Sequence, residues 1–204
     1  MTPAAPPRDN LTILYHHAST CRLCPRLAAK SAVLSRRNGR RGAPLMLIGE
    51  APGRLGADRT SRPFVGDQSG RTLAALLDAA EVSRRDTFIT NAVLCCPTDG
   101  RRNLRPSTTE VANCSQFLER TIALVKPRVV ATLGAVALDA IQRIYAGGPP
   151  RWRLAEVAGC PIKLEEFLLV PLYHPSPRVI HTRRSFDEQL ADLKIAVRLL
   201  RPTD

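Results

Sequence analysis

Four apolar stretches, rich in β-branched residues, predict the strands of a sheet. Each stretch is apolar at nearly every position rather than at alternate ones, as is typical of strands that are buried on both faces. We therefore expect a central sheet with both faces covered. The stretches are "PLMLIG" (44–49), "TFITNAV" (87–93), "PRVVATLG" (127–134) and "FLLVPLYHP" (167–175).

Helical patterns separate these stretches. Apolar residues recur at the i, i+3, i+4, i+7 spacing over 73–80, which predicts an amphipathic helix after the first strand. Ser107 with Glu110, and Ser185 with Glu188, have the spacing of a capping box and predict the starts of two further helices.

Alternating strands and helices predict an α/β fold of three layers, α/β/α, around a central and mostly parallel four-stranded sheet. The length of 204 residues suits a single domain over 1–204, in which we expect 1–15 to form a flexible tail. Open sheets of this kind bind ligands at the carboxyl ends of their strands. The irregular, charged stretch "LIGEAPGRLGADRTSRPFVGDQSG" (47–70) begins as the first strand, and we interpret it as a ligand loop.

The charge balance narrows the choice of partner. The chain has 30 Lys and Arg residues against 18 Asp and Glu, a formal net charge of +12. This excess suits a polyanion, most simply nucleic acid, although a generally Arg-rich proteome would explain it equally well. Part of the charge lies in the basic, glycine-containing loop "SRRNGRRGAP" (35–44). Aromatic residues make up 4% of the chain, which argues against a broad platform for stacking bases.

No apolar run approaches the roughly 18 residues of a membrane span. The opening "MTPAAPPRDN" has no apolar core of a secretory signal, so we expect a cytoplasmic protein, and we expect it to be a monomer that does not contact membranes. In such a chain, six cysteines favour metal or cluster binding over disulfides. Cys160 stands apart from the others and fits a small buried residue.

The remaining cysteines form a candidate metal centre. Cys21 and Cys24 form a C-x-x-C motif, Cys95 follows the second strand, and Cys114 lies one turn inside the next helix. Four thiolates from three segments could hold zinc or an iron–sulfur cluster, and their spacing does not separate the two. Cys96 is either a spare cysteine or a substitute ligand.

Seven segments in order resemble the iron–sulfur-containing uracil-DNA glycosylases, families 4 and 5 of that superfamily. They are "CRLC", "LIGEAPG", "RPFVGDQSGRTL", "TNAVLC", "RPSTTEVANC", "VVATLG" and "YHPSPR". The resemblance implies a structural [4Fe–4S] cluster that takes no part in the chemistry, with Cys95 rather than Cys96 as the third ligand. The implied ligands are Cys21, Cys24, Cys95 and Cys114.

The resemblance also implies an activity on DNA that contains uracil or a related damaged base. Such an enzyme flips the base out of the stack and hydrolyses its N-glycosidic bond, which starts base excision repair. Asn91 would read the pyrimidine edge, Phe64 would stack on the base, and His174 would donate a hydrogen bond to O2. On the residues alone, a turn-forming Asn is the favoured interpretation of Asn91, and a solvated loop His is the usual interpretation of a lone histidine such as His174. Core packing is as good an interpretation of Phe64 as base stacking.

Two further segments contribute to the implied site. The "GEAPG" backbone, with Gly49 and Ala51, would surround the sugar and the base. In "HPSPR", Ser176, Pro177 and Arg178 would contact DNA, and Arg178 would enter the minor groove or fill the vacated stack.

The candidate ligand loop within 47–70, called the glycine-rich loop from here on, departs from the family 4 pattern and is closer to family 5. It has "GRLGADRT" where family 4 usually has a glutamate that positions or activates water. Asp58 is the nearest carboxylate that could orient water, with Glu50 as the alternative, while Asp67 is predicted to cap a helix. Asn103 stands where a related branch has a histidine that becomes attached to the excised site. Because an amide is a poor nucleophile, we expect turnover.

The leading hypothesis is therefore a hydrolase of the N-glycosyl bond in DNA. The alternative is a non-catalytic iron–sulfur DNA-binding repair protein, which the missing glutamate would explain. An iron–sulfur electron carrier is disfavoured by the charge of +12 and by the candidate site residues.

Overall fold

Parallel strand pairing organises the structure, a computed structural model that describes residues 10–147 and 152–201. The strands are β1 (Leu45–Gly49), β2 (Thr87–Asn91), β3 (Val129–Leu133), β4 (Ile162–Lys163) and β5 (Leu168–Leu172). Among these described strands, the order in the sheet is β2-β1-β3-β5-β4, and β4 alone is antiparallel to its neighbour.

Helices cover both faces of the sheet, which confirms the predicted three layers. The helices are α1 (Leu11–Thr20), α2 (Ala57–Thr60), α3 (Gln68–Ala79), α4 (Thr108–Val125), α5 (Ala135–Tyr145), α6 (Leu154–Val157), α7 (Pro177–Thr182) and α8 (Phe186–Arg198). Alternate residues of β1 belong to different apolar clusters: Met46 and Ile48 pack with α1, α4 and α5, whereas Leu45 and Leu47 pack with α3 and α8.

The predicted caps are present. Ser107 Oγ accepts a hydrogen bond from Glu110 N and a Glu110 carboxylate oxygen accepts one from Ser107 N, which closes the capping box of α4. The same reciprocal pair starts α8 at Ser185 and Glu188. Because each cap satisfies backbone N–H groups that would otherwise lack partners, these short local signals locate the helix starts.

The predicted strand count was wrong, because the sheet formed by the described residues has five strands rather than four. The additional strand β4 has two residues, Ile162 and Lys163, and is too short to show a strand pattern in the sequence. The predicted tail was also too long, since α1 begins at Leu11. Asn10 caps this helix by accepting a hydrogen bond from Ile13 N at 3.1 Å, and Leu14 is fully buried. Residues 1–9 of the predicted tail lie outside the described residues.

An ion pair joins the N-terminal segment to α4. Arg26 donates to both carboxylate oxygens of Glu110, at 2.8 Å and 2.6 Å, and the Glu110 side chain is only 7% exposed. These hydrogen bonds lower the pKa of Glu110, although its burial opposes them. The pair holds the segment that carries Cys24 against the helix that carries Cys114.

No helix in the described ranges is long and apolar enough to cross a membrane.

Candidate active site

A cavity of about 490 Å³ opens at the carboxyl ends of the parallel strands. Most of the predicted site residues line it, whereas Gly49, Asp58 and Pro177 are not among its lining residues. The cavity also takes in Gly53, Asp67, Asn103 and Leu104, which the sequence did not assign to a base pocket. The predicted residues that line it are Glu50, Ala51, Phe64, Asn91, His174, Ser176 and Arg178.

Asn91 is a buried amide at this edge of the sheet. It ends β2 directly opposite Gly49 of β1 in the parallel register, and it is 3% exposed. Its side-chain amide makes no hydrogen bond to any of the described residues, although buried amides are normally satisfied. Because it faces the cavity, this amide is available to a ligand.

The space around Asn91 depends on a residue without a side chain. A Cβ at Gly49 would lie 2.5 Å from Asn91 Oδ1 and 2.8 Å from a ring carbon of Phe64. Real Cβ atoms do not approach other atoms so closely, so only glycine permits this arrangement. Gly49 thus leaves the space that the Asn91 and Phe64 side chains occupy, even though it does not itself line the cavity.

Phe64 is held in an uncommon backbone conformation. Its φ is +52°, in the left-handed region that non-glycine residues rarely adopt. Its carbonyl oxygen would lie 2.4 Å from a Cβ at Gly70, so the first turn of α3 packs closely against this loop. The Phe64 and His174 rings lie 5.7 Å apart at 36°. Such backbone strain is common at ligand sites.

His174 follows β5 and is partly buried. Its burial lowers the pKa, while the negative charge of Asp67 acts in the opposite direction. A lowered pKa favours the neutral imidazole at neutral pH, in which one ring nitrogen donates and the other accepts. The imidazole makes no hydrogen bond with the described residues, so it is also free to bind a ligand.

Asp67 has a second role beyond the predicted helix cap. Asp67 Oδ1 accepts a hydrogen bond from Gly70 N at 2.9 Å, which confirms the cap. Its other oxygen, Oδ2, would lie 2.7 Å from a Cβ at Gly53 and 2.2 Å from one at Gly56. The two glycines therefore let this carboxylate pack against the loop backbone beside the cavity. In the sequence, this contact is indicated only by the spacing of the two glycines in "GRLG".

The two candidate carboxylates lie in different surroundings. Glu50 lines the cavity, and its burial raises its pKa, while Arg105 opposes this shift. Asp58 is 15% exposed at its side chain and accepts a hydrogen bond from Lys30 Nζ at 3.0 Å. Asp58 therefore pairs with the segment that follows Cys24 and does not line the cavity.

The "HPSPR" segment forms the start of α7. Ser176 Oγ accepts a hydrogen bond from Val179 N at 3.4 Å, and Pro177 occupies the first helical position, where it costs no hydrogen bond. Arg178 is exposed at the cavity mouth. From a separate chain segment, Asn103 Oδ1 accepts a hydrogen bond from Arg54 N at 2.8 Å, and this contact holds the glycine-rich loop in place.

Four cysteines line a second, small cavity, and they are the four predicted ligands: Cys21, Cys24, Cys95 and Cys114. The buried Cys96 is not among the residues that line it, and it lies near Asp58 and Lys30 instead.

Cys160 is exposed, so the prediction of a buried residue there was wrong. It follows the short helix α6 at the surface.

The four sulfur donors of this cavity suit a positively charged group, because thiolates held close to one another need a cationic partner. Burial and the neighbouring thiols raise the pKa of Cys95 to about 11 and that of Cys114 to about 12. Leu94 N lies 3.4 Å from Cys114 Sγ, and Asn113 Nδ2 lies 3.6 Å from Cys24 Sγ, as expected of N–H donors to thiolate ligands. Within the described ranges, no group of three or more His, Cys, Asp or Glu could hold a metal ion. The four thiols that line the cavity are the donor set that would hold an iron–sulfur cluster, which would link their three chain segments.

Comparisons with known proteins show the family of this chain. The family model of the uracil DNA glycosylase superfamily matches residues 37–194. A type-5 uracil-DNA glycosylase of Pyrobaculum aerophilum is 31% identical, over 85% of this chain and 85% of that protein. A type-4 uracil-DNA glycosylase of Thermotoga maritima is 32% identical, over 81% of each chain. A type-5 enzyme of Mycobacterium bovis is 31% identical over 86% of this chain and 76% of its own. The chain belongs to the uracil DNA glycosylase superfamily.

The environment of His174 leads to a titration experiment. We expect NMR to give a His174 pKa below the usual value, because burial disfavours the imidazolium. Asp67→Asn should lower this pKa further, since it removes the charge that favours protonation. Asp78→Asn, a change at an exposed position on α3, is the matched control and should leave it unchanged. A pKa that rises in the Asp67 variant would contradict this electrostatic description.

Proposed function

We propose that this protein is a uracil-DNA glycosylase that flips uracil out of DNA and hydrolyses its N-glycosyl bond to initiate repair. The observation that carries the proposal is Asn91, whose buried amide faces the cavity with no partner in the described fold. Its N–H can donate to O4 of uracil and its oxygen can accept from N3–H. Cytosine presents the opposite pattern at these two positions, so an amide in a fixed orientation rejects it.

The other cavity residues suit the remaining steps. Phe64 provides a face on which the flipped base stacks. His174, as a neutral donor, stabilises the negative charge that develops on O2 when the base leaves, and one such donor contributes roughly 3 kcal/mol to the transition state. Arg178 at the cavity mouth contacts the DNA, with Ser176 and Pro177 holding it at the start of α7.

We assign the orientation of water to Glu50 rather than to Asp58. Glu50 lines the cavity, and the raised pKa brings this carboxyl group closer to neutral pH, where a general base works best. A carboxylate at this point also balances the positive charge that develops on the sugar. Asp58 acts at a distance, because its ion pair with Lys30 holds α2 and Ala57 at the cavity wall.

We also propose that Cys21, Cys24, Cys95 and Cys114 hold a [4Fe–4S] cluster. The group would supply a structural crosslink between three chain segments rather than redox chemistry. The Lys30–Asp58 pair would transmit this order from the cysteine segment to the glycine-rich loop. The predicted cytoplasmic location and monomeric state belong to the same proposal. The non-catalytic alternative is not favoured, since Glu50, Asn91 and His174 converge on one cavity.

Excision of uracil from a labelled oligonucleotide, followed by alkaline cleavage, tests the activity. We expect His174→Ala to slow single-turnover excision about a hundredfold or more, the effect of losing one transition-state donor. His181→Ala, an exposed histidine on α7, is the matched control and should keep the wild-type rate. Asn91→Asp should narrow the preference for uracil over cytosine. Wild-type protein that leaves uracil in place would refute the proposal.

The two carboxylates can be separated by the same assay. Glu50→Gln should lower the rate about a hundredfold, the effect of a lost general base, and should flatten the acid limb of the pH–rate profile. In the wild type, this limb should lie above the usual carboxyl range, because the pKa of Glu50 is raised. Asp58→Asn should have the smaller effect. The opposite ranking would return the water-orienting role to Asp58.

The cluster is tested by iron and sulfide content after anaerobic purification. We expect about one [4Fe–4S] cluster per chain and a broad absorbance near 400 nm, which is typical of such clusters. Cys95→Ser should lose the cluster, whereas Cys96→Ser should retain it, because Cys96 does not line the cysteine cavity. Colourless protein with stoichiometric zinc would refute the cluster.

A further inference from the structure

The basic loop noted in the sequence has no part in the proposed chemistry, yet it forms one side of a second large concavity. This arginine groove has a volume of about 610 Å³ and combines three chain segments. Asn38 and Gly39 complete its lining, and none of the lining residues carries a carboxylate. The arginines that line it are Arg36, Arg37, Arg40, Arg62, Arg84 and Arg85.

The groove has a fixed framework. Asn38 Nδ2 donates to Ile89 O at 2.8 Å, which holds the basic loop against edge strand β2. A Cβ at Gly39 would lie 2.5 Å from Thr87 O, so the loop could not approach this strand with any other residue. On the opposite side, Arg84 Nη2 donates to Pro63 O at 2.8 Å.

The positive charge of the groove is largely uncompensated. Arg40 pairs with Asp86 at 3.1 Å, in a contact where both side chains are about half exposed. The side chains of Arg36, Arg62 and Arg85 are exposed and make no hydrogen bond or ion pair within the described part of the chain. Like charges held together in this way destabilise the fold unless an anion neutralises them.

The partly buried arginine shows the same repulsion. Burial and the charge of Arg62 lower the pKa of Arg84 to about 10. A chain gains nothing in stability from this arrangement, whereas a bound anion would find several guanidinium groups already directed to one space. The groove therefore has the character of a binding site rather than of a structural ion-pair network.

The lining also indicates which part of a polyanion binds. Side chains that stack on bases are aromatic, and no aromatic residue lines the groove. Guanidinium groups without such a platform suit the phosphates of a nucleic-acid backbone and not a nucleotide base. Pro63, which receives the Arg84 hydrogen bond, directly precedes Phe64 of the base cavity, so the groove and the base cavity share one loop.

We propose that the arginine groove binds backbone phosphates of DNA outside the flipped nucleotide, independently of sequence and of uracil. This inference rests on the proposed function for the base cavity and extends it to the neighbouring surface. The groove holds the enzyme on undamaged DNA while the base cavity is empty. Its contribution should be seen in affinity and salt dependence, and not in the rate of the chemical step.

The test compares two triple variants that remove the same charge. The groove variant is Arg36→Gln/Arg62→Gln/Arg85→Gln, which leaves the arginines with backbone or Asp86 contacts in place. The control variant changes three exposed cations on β4 and α8, away from both cavities, which are Lys163, Lys194 and Arg198, each to Gln. Affinity is measured on a uracil-free duplex several helical turns long, at a series of salt concentrations.

We expect the groove variant to bind this duplex about tenfold or more weakly at low salt, with a slope of log affinity against log salt that is smaller by about 2. The control variant should stay close to wild type, because its charges do not face the groove. Single-turnover excision from a short uracil oligonucleotide at saturating enzyme should be equal in all three proteins. Equal affinities and slopes for the two triple variants would overturn the proposal.

A single variant separates a failure to fold from a failure of the proposal. Arg62→Gln should raise the thermal midpoint without DNA, because it removes the repulsion on Arg84, and should weaken duplex binding. A variant that keeps full affinity would refute the role of the groove. Since these binding measurements use DNA without uracil, they remain decisive even if wild-type protein fails to excise uracil, which would refute the proposed function alone.

Discussion

The candidate site depends on the parallel pairing of β1 with β2. This pairing sets Gly49 opposite Asn91 at the carboxyl edge of the sheet, and the missing Cβ at Gly49 leaves room for both the amide and the Phe64 ring. If the register slipped by one residue, the amide would point to the other face of the sheet. The roles that we propose for Asn91 and Phe64 therefore both depend on one strand register.

The glycine-rich loop connects this edge with the rest of the molecule. Asp67 packs against its backbone at Gly53 and Gly56, while Asn103 holds Arg54 N from a separate segment. The ion pair between Asp58 and Lys30 ties the same loop to the cysteine segment. A change in the cysteine cavity would thus reach the base cavity through a short chain of contacts. The proposed cluster would in this way influence catalysis without taking part in the reaction.

Two different concave surfaces are connected by the loop that contains Pro63 and Phe64. The base cavity holds two hydrogen-bonding side chains, Asn91 and His174, that have no partner among the described residues, which suits the recognition of a neutral base that we propose. The arginine groove, in contrast, has many charges and no aromatic platform, as sequence-independent contact with phosphates requires. If both proposals hold, affinity for DNA and selectivity for the damaged base can be altered independently, because different residues line the two surfaces.

The sequence by itself determined whatever depends on local patterns: the buried strands, the capping boxes at Ser107 and Ser185, and the placement of Asn91 and His174 at strand ends. Only the tertiary structure decided features that join distant segments. A two-residue strand leaves no periodic signal, and a carboxylate's direction depends on its partner, so β4 and the contact of Asp58 with Lys30 were not predictable. The six arginines likewise became one groove only when the fold brought three separate segments together, because charge in a sequence carries no information about which residues will share a surface.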